Sequence, residues 1–231
     1  MHSNNKHITK SIEQLTERFE QLDRISTFNT NKVLKSFAKN NIALRHFSGT
    51  NGYGNDDVGR DALSKVFADI FHTEDAIVSP LIASGTHAIT VALFGILRPN
   101  DIVLSVTGQP YDTLQDAIYK RNTGSLADFN VSFNCIELTS DGKVDFDAVE
   151  TFLKSHQTRL VYIQRSRGYA WRSALSIAEI EQICNFLKKI SPKTNVFCDN
   201  CYGEFVEDLE PTDVGVDLAA GSLIKNIGGG I

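Results

Sequence analysis

Over residues 11–25, apolar side chains recur at Ile12, Leu15, Phe19 and Leu22. That spacing of three and four sets them on one face of an amphipathic helix. A second helix is predicted over residues 31–41, with Val33, Leu34, Phe37 and Ala38 as its stripe, and a third over residues 58–71. The Gly/Asn-rich stretch 48–54 lies between them. Its Gly52-Tyr53-Gly54 core reads as an exposed loop of the kind that reaches a ligand or a neighbouring subunit.

From Ala76 onward the pattern changes to short apolar runs at residues 76–78, 102–106, 131–136, 160–164, 196–198 and 218–223, which are strand candidates. The stretches between them, 86–97, 111–120, 145–155 and 177–190, carry helical spacing. Alternating strand and helix predicts an α/β fold: a mainly parallel sheet with right-handed crossovers and helices on both faces. Ligands in such sheets collect at the carboxyl ends of the strands. The expected organisation is an N-terminal helical segment, 1–70, leading into one sheet domain over 71–231, without internal repeats or an interdomain linker.

Composition narrows the function classes. With 42% hydrophobic and 22% charged residues and five prolines, the chain is that of a globular protein. A net charge of −5 and a pI near 5.7 argue against nucleic acid or an anionic membrane as main partner, because those surfaces select basic patches. No apolar run reaches the ~18 residues that span a bilayer, and residues 1–10 are too polar for a signal peptide. A cytoplasmic location and a small-molecule partner are therefore expected. Cys135, Cys184, Cys198 and Cys201 are too few and too irregularly spaced for a disulfide framework, so reduced thiols are expected.

Four places carry candidate chemistry. Ser84-Gly85-Thr86 follows a strand candidate and opens a helix, so its backbone N–H groups would lie uncovered at the positive end of a helix dipole, where a phosphate is stabilised. The same residues also make an ordinary capped helix start. Asp199 ends the apolar run Val196-Phe197-Cys198, and a carboxylate there needs a cation or donors to offset its desolvation. A protonated pyridine nitrogen is one such cation; a plain turn aspartate is the other reading.

Lys225 follows the apolar run of Gly221-Ser222-Leu223-Ile224. A buried lysine with a depressed pKa is what Schiff-base chemistry with an aldehyde requires, although a lysine at a strand end is commonly just solvated. Tyr111, at the start of a helix after the 102–106 strand, offers a ring to stack on a planar heterocycle, or merely packs. Arg165 and Arg167, after the 160–164 strand, are planar forks for a carboxylate or phosphate. Tyr53 and Arg60 are candidates for reaching a neighbouring subunit's phosphate.

The phrases ASGTHAITVALFGILRPND, GQPYDTLQ, IQRSRGYAWR, FCDNCYGEF and GSLIKNIGGG resemble the aluminium resistance protein family, and the resemblance runs from about His46 to the end. That family belongs to the fold type I pyridoxal-phosphate enzymes and is often labelled as similar to methionine gamma-lyase or cystathionine beta-lyase. The resemblance implies a pyridoxal 5'-phosphate cofactor held by the 71–231 domain, with Lys225 forming the internal aldimine and Asp199 bonding the pyridinium nitrogen. It implies also that Ser84, Gly85, Thr86 and Ser222 hold the phosphate and that Tyr111 stacks on the ring. Lys225, Tyr111 and Asp199 would be the catalytic set, with no metal. A lyase acting on a sulfur-containing amino acid by beta- or gamma-elimination is the implied activity, in a homodimer or homotetramer.

The chain ends at Ile231, shortly after Lys225, whereas the family continues through the rest of the large domain and a C-terminal domain. The alternative function is therefore a truncated, catalytically inactive module that binds the cofactor or associates with other chains. A Cys198-x-x-Cys201 redox or metal site is a third reading, but it lacks a second ligand pair. A dinucleotide site is weaker still, because no G-x-G-x-x-G follows the first strand.

Overall fold

The computed structural model describes residues 2–49 and 57–228. The chain forms two compact units, one of residues 1–77 with 205–208 and one of residues 78–204 with 209–231.

The first unit contains helix α1 (His2–Lys39) and helix α2 (Val58–Ile70). The pattern predicts two helices in the region where α1 runs unbroken. The intervening Ser26-Thr27-Phe28-Asn29-Thr30 holds residues that often cap or break a helix, yet no Gly or Pro. Asn29, instead of capping, donates its side-chain amide to the carbonyls of Phe205 (3.1 Å) and Glu207 (3.0 Å), so the helix continues past it. α1 meets α2 where the Ser36 hydroxyl donates to the Val66 carbonyl and Asn40 and Lys39 converge on Asp69. Those bonds hold the Asp69 carboxyl below the usual carboxylate range, the Lys39 bond most of all. The predicted stripe of Ile12, Leu15, Phe19 and Leu22 is exposed.

The second unit is the α/β fold that the alternation predicts. Five strands, β1 (Ile102–Ser105), β2 (Ser132–Cys135), β3 (Leu160–Gln164), β4 (Asn195–Asp199) and β5 (Leu218–Ala220), form one sheet in the order β2-β1-β3-β4-β5. Every pairing is parallel. Its helices are α3 (Gly85–Ile96), α4 (Asp112–Tyr119), α5 (Phe146–Ser155) and α6 (Ile177–Ile190).

Alternation along the strands divides the core between two faces. Leu104, Val161, Ile163, Val196 and Cys198 pack with Val149 of α5 and Ile180, Ile183 and Leu187 of α6. Val103, Leu160, Tyr162 and Phe197 pack with Ile89 and Leu93 of α3 and Leu114 and Ile118 of α4. Both faces are therefore covered, which is why these strands read as continuous apolar runs.

Two predicted strands differ. Residues 76–78 form none: Ile77 is exposed, and Ser79 at once turns the chain through Ile82 N–H to its carbonyl and Leu81 N–H to its hydroxyl. The 218–223 run stops pairing at Ala220, because the next N–H groups turn away from the ladder and that of Ser222 goes to a glutamate side chain. No helix among the described residues is long and apolar enough to cross a membrane.

Candidate functional site

The strand order places β1 between β2 and β3, so the crossovers diverge there and leave a crevice at the carboxyl ends. At this point the Thr107 hydroxyl accepts from the Gln164 N–H at 3.0 Å, and Gln164 stands opposite Asp199 in register. Asp199 in turn stands opposite Ala220. The segments carrying Tyr111, Asp199, Ser222 and Lys225 all leave this rim.

α3 opens with Ser84 in extended backbone as N-cap, its hydroxyl accepting from His87 N–H at 3.1 Å. The capped-helix reading is thus realised in the Ser84 side chain. The remaining first-turn N–H groups still point outward without helical acceptors, as at any helix start. Gly85 lies so close to the other strand ends that a Cβ there would sit 2.9 Å from Cys201 Sγ and 3.4 Å from Ser222 Cβ. Only a residue without a side chain fits, and the close approach joins the α3 start to the segments after β4 and β5. Thr86 is linked to the next element by a 2.8 Å hydrogen bond between its hydroxyl and that of Thr113 in α4.

Tyr111 is the residue that starts α4, and its ring lies 5.2 Å from that of Tyr169, tilted by 34°. The Tyr169 hydroxyl, chiefly, pushes the Tyr111 phenol up to about 12. A cavity of about 990 Å³ opens beside it, lined by Thr107, Tyr111, Gln164, Gly168, Arg172 and Glu179 among others.

Asp199 is buried, at 4% exposure. One carboxylate oxygen accepts from Cys201 N–H at 3.1 Å and the other from the Tyr162 hydroxyl at 3.3 Å. Burial outweighs these donors and pushes the carboxyl above its ordinary range. Because the folded pKa is raised, Asp199 adds stability that is fully present below about pH 3.9, the unfolded value, and is lost as pH rises through the folded pKa. Asp199→Asn keeps an acceptor for Cys201 and removes the charge. It is expected to melt above the wild type at neutral pH, with an advantage that shrinks toward pH 4. A constant difference across that range, followed by thermal melting, would contradict this account.

Ser222 is buried beside Gly85, and its N–H donates to Glu204 Oε1 at 2.7 Å. Lys225 is partly exposed, with Nζ 4.6 Å from the centroid of the Tyr202 ring. The pattern leads one to expect a buried lysine with a depressed pKa; instead, hydrogen bonding to Tyr202 raises it. A phenol and a π face both favour the cation. The charges of Cys201 and Tyr169 also act on Lys225, and that of Tyr202 acts on Tyr111, so these groups share one electrostatic neighbourhood.

The arginine and cysteine candidates divide. Arg165 is wholly buried, donating to the Leu175 carbonyl at 3.2 Å, Asn200 Oδ1 at 2.9 Å and the Gly203 carbonyl at 2.8 Å, with Glu210 at 3.9 Å. Its fork is spent inside the fold and does not reach the rim. Arg167 lies over the exposed Trp171 ring and lines the cavity beside Tyr111, whereas Arg60 pairs with Asp57 in the first unit. Tyr53 lies outside the described residues. Cys198 is completely buried and its thiol is pushed up by desolvation, while burial raises Cys201 as well, so neither has the low pKa of a reactive pair.

Sequence reasoning overlooked Tyr162, Tyr202, Glu204 and Asn226. Tyr162 could have been found as the one hydroxyl side chain within the β3 run, beside the strand that ends in Asp199.

A sequence model described as "Methionine gamma-lyase" matches residues 4–231. The chain belongs to this family. An uncharacterized Bacillus subtilis (strain 168) protein, YnbB, is 50% identical over 215 residues, 92% of this chain and 51% of that protein. A Listeria innocua crystal structure named for aluminum resistance is 47% identical with a TM-score of 0.96, covering 100% of this chain and 57% of that one. The carbon-sulfur lyase involved in aluminum resistance from Clostridium novyi NT is 46% identical, with a TM-score of 0.91 over 96% of this chain and 54% of that one. At 15% identity, the pyridoxal-5'-phosphate dependent protein YhfS of Escherichia coli still gives a TM-score of 0.65 and shares the fold. The fold is accordingly that of the fold type I pyridoxal-phosphate proteins. The chain spans about half the length of the curated relative that matches most of it.

Proposed function

We propose that this chain carries the cofactor site of a pyridoxal-phosphate-dependent carbon–sulfur lyase that acts on a sulfur-containing amino acid by beta- or gamma-elimination. The observation that carries the reading is the contact of Gly85 with Cys201 and Ser222, which draws a helix start, a buried carboxylate and the Lys225 turn to one rim. The residues fit the group. A helix start bare of side chain suits a phosphate, and a buried carboxylate with a pushed-up pKa is relieved by a cationic ring nitrogen. The carbon–sulfur chemistry of the Clostridium novyi relative supports the reaction class.

When bound, the cofactor supplies an electron sink for bonds at the substrate's alpha carbon. The Gly85 and Thr86 N–H groups with the Ser222 hydroxyl would hold its phosphate, and the Tyr111 ring would stack on its heterocycle. Ser84 would serve by capping the helix that aims those donors. Asp199 would hold a proton on the ring nitrogen. Lys225 Nζ would be the amine that holds the aldehyde and the base placed to take the alpha proton. The cavity beside Tyr111 leaves room for the substrate side chain, from which the thiol would depart. We further propose a homodimer or homotetramer as the working assembly.

Titrating the chain with pyridoxal phosphate should give visible absorbance with one equivalent bound, and adding L-cystathionine should release a thiol and a 2-oxo acid. Absence of any bound cofactor at millimolar concentration would overturn the proposal. Binding without turnover would favour the alternative of a catalytically inactive cofactor-binding module.

A further inference from the structure

Glu204 is 2% exposed and lies in the turn that follows β4. A buried carboxylate costs several kcal/mol unless donors meet it, and burial pushes this one above its ordinary range. Oε1 accepts from the Ser222 N–H at 2.7 Å and the Tyr202 and Glu204 N–H groups also act on the carboxylate, yet Oε2 is buried without a hydrogen bond of its own. Such a group calls for an explanation, and the local packing gives one. Gly221 comes so near that a Cβ would lie 2.5 Å from Oε1, so the carboxylate is wedged against the start of the Lys225 turn.

The far end of the turn is tied to the same segment. Asn226 Nδ2 donates to the Tyr202 carbonyl at 2.8 Å and to the Glu204 carbonyl at 3.1 Å. Between these anchors the turn closes on itself through Lys225 N–H to the Ser222 carbonyl at 3.2 Å, and Lys225 Nζ rests on the Tyr202 ring. Tyr202 has φ of 70°, a left-handed conformation that bulky residues rarely adopt, and the strain persists because its carbonyl and ring are both held.

We infer that Glu204, with Asn226, is a positioning residue that clamps both ends of the Ser222–Asn226 turn, fixing the Ser222 hydroxyl beside Gly85 and the Lys225 amine over Tyr202. The inference rests on the proposed roles of Ser222 and Lys225. Those roles name what the turn presents; the clamp is what keeps it there. Nothing in the clamp touches substrate, so its loss should loosen cofactor binding without removing the group that bonds it.

The test compares Glu204→Ala, Glu204→Gln and Asn226→Ala with the wild type, titrating each with pyridoxal phosphate at 25 °C and following visible absorbance beside a thermal melt. Glu204→Ala and Asn226→Ala should each raise the dissociation constant roughly tenfold or more while reaching the wild-type absorbance at saturation. Glu204→Gln, whose amide carbonyl still accepts from Ser222 N–H, should stay within about threefold. Glu204→Ala that melts lower but binds as tightly as the wild type would overturn the inference, leaving Glu204 a structural residue only. If Glu204→Ala does not fold, Asn226→Ala, altered at an exposed position, decides, and unchanged binding by it overturns the clamp. A wild-type chain with no visible absorbance would instead take down the reading of Lys225 on which the clamp depends.

Discussion

Lys225→Ala is expected to abolish the visible absorbance that pyridoxal phosphate acquires on bonding to the chain, leaving only the spectrum of the free aldehyde. The reason is chemical, since Lys225 is carried by the turn whose Ser222 lies against Gly85. The fold should be indifferent to the change. Lys225 is partly exposed and its amine rests on the face of Tyr202, so the melting temperature of the variant should match that of the wild type. Weak residual cofactor binding should survive, because the proposed phosphate cradle at the start of α3 is untouched.

The same lysine carries a pH dependence. Only the neutral amine attacks an aldehyde, and hydrogen bonding to Tyr202 keeps the ammonium form stable above the usual lysine range. Across the neutral range, the rate at which absorbance develops should therefore rise about tenfold per pH unit, without a plateau below the ordinary lysine pKa of about 10.4. Stopped-flow mixing from pH 6.5 to 9 checks this. A rate that levels off near neutrality would mean that a different, low-pKa amine does the bonding.

How much of this was legible in the sequence depends on the physics of each part. The parallel sheet was legible because its strands are covered on both faces and so stand out as apolar runs between amphipathic stretches. α1 was read as two helices because its apolar positions form two stripes, over 11–25 and 31–41, and only the Phe205 and Glu207 carbonyls that engage Asn29 reveal how the helix runs on between them. Residues 76–78 have the composition of a strand and none of the pairing. Period and composition say which face a residue takes, but not who its neighbours are.

The site shows the same division. Ser84, Gly85 and Thr86 were singled out because small residues that open a helix leave N–H groups bare, although the strand expected before them at 76–78 does not form, and Asp199 because a carboxylate at the end of an apolar run is anomalous. Glu204 and Asn226 gave no such signal: both sit in polar, turn-like sequence, and their importance lies in contacts across about twenty residues of chain. Arg165 was misread for a related reason. At the end of β3 an arginine invites the assumption of a ligand fork, and nothing in the local sequence reveals that Asn200, Gly203 and Glu210 fold back to enclose it.

That enclosure makes Arg165 the position where a single substitution should do the most damage to the fold. Its guanidinium donates to the Leu175 and Gly203 carbonyls and to Asn200 Oδ1, and stands 3.9 Å from the fully buried Glu210, which also accepts from Asn200 Nδ2 at 3.2 Å. Arg165→Met preserves length and apolar stem but withdraws the positive charge and all three donations. Removing one partner of a buried ion pair costs about 3–5 kcal/mol, because the other charge is left uncompensated. Against a typical domain stability of about 5–15 kcal/mol, that loss would leave a large unfolded fraction or a fall in the denaturation midpoint of corresponding size. Arg165→Lys keeps the charge but cannot fork, and should fall between the two. Combining Arg165→Met with Glu210→Gln removes the stranded carboxylate, so the double variant should recover part of the loss in urea titrations. Because this network holds the turn that runs from Asn200 to Glu204, cofactor affinity should fall with stability in the Met variant even though no atom of Arg165 reaches the rim. A Met variant as stable as the wild type would show that the carbonyls and carboxylate around Arg165 are satisfied without it.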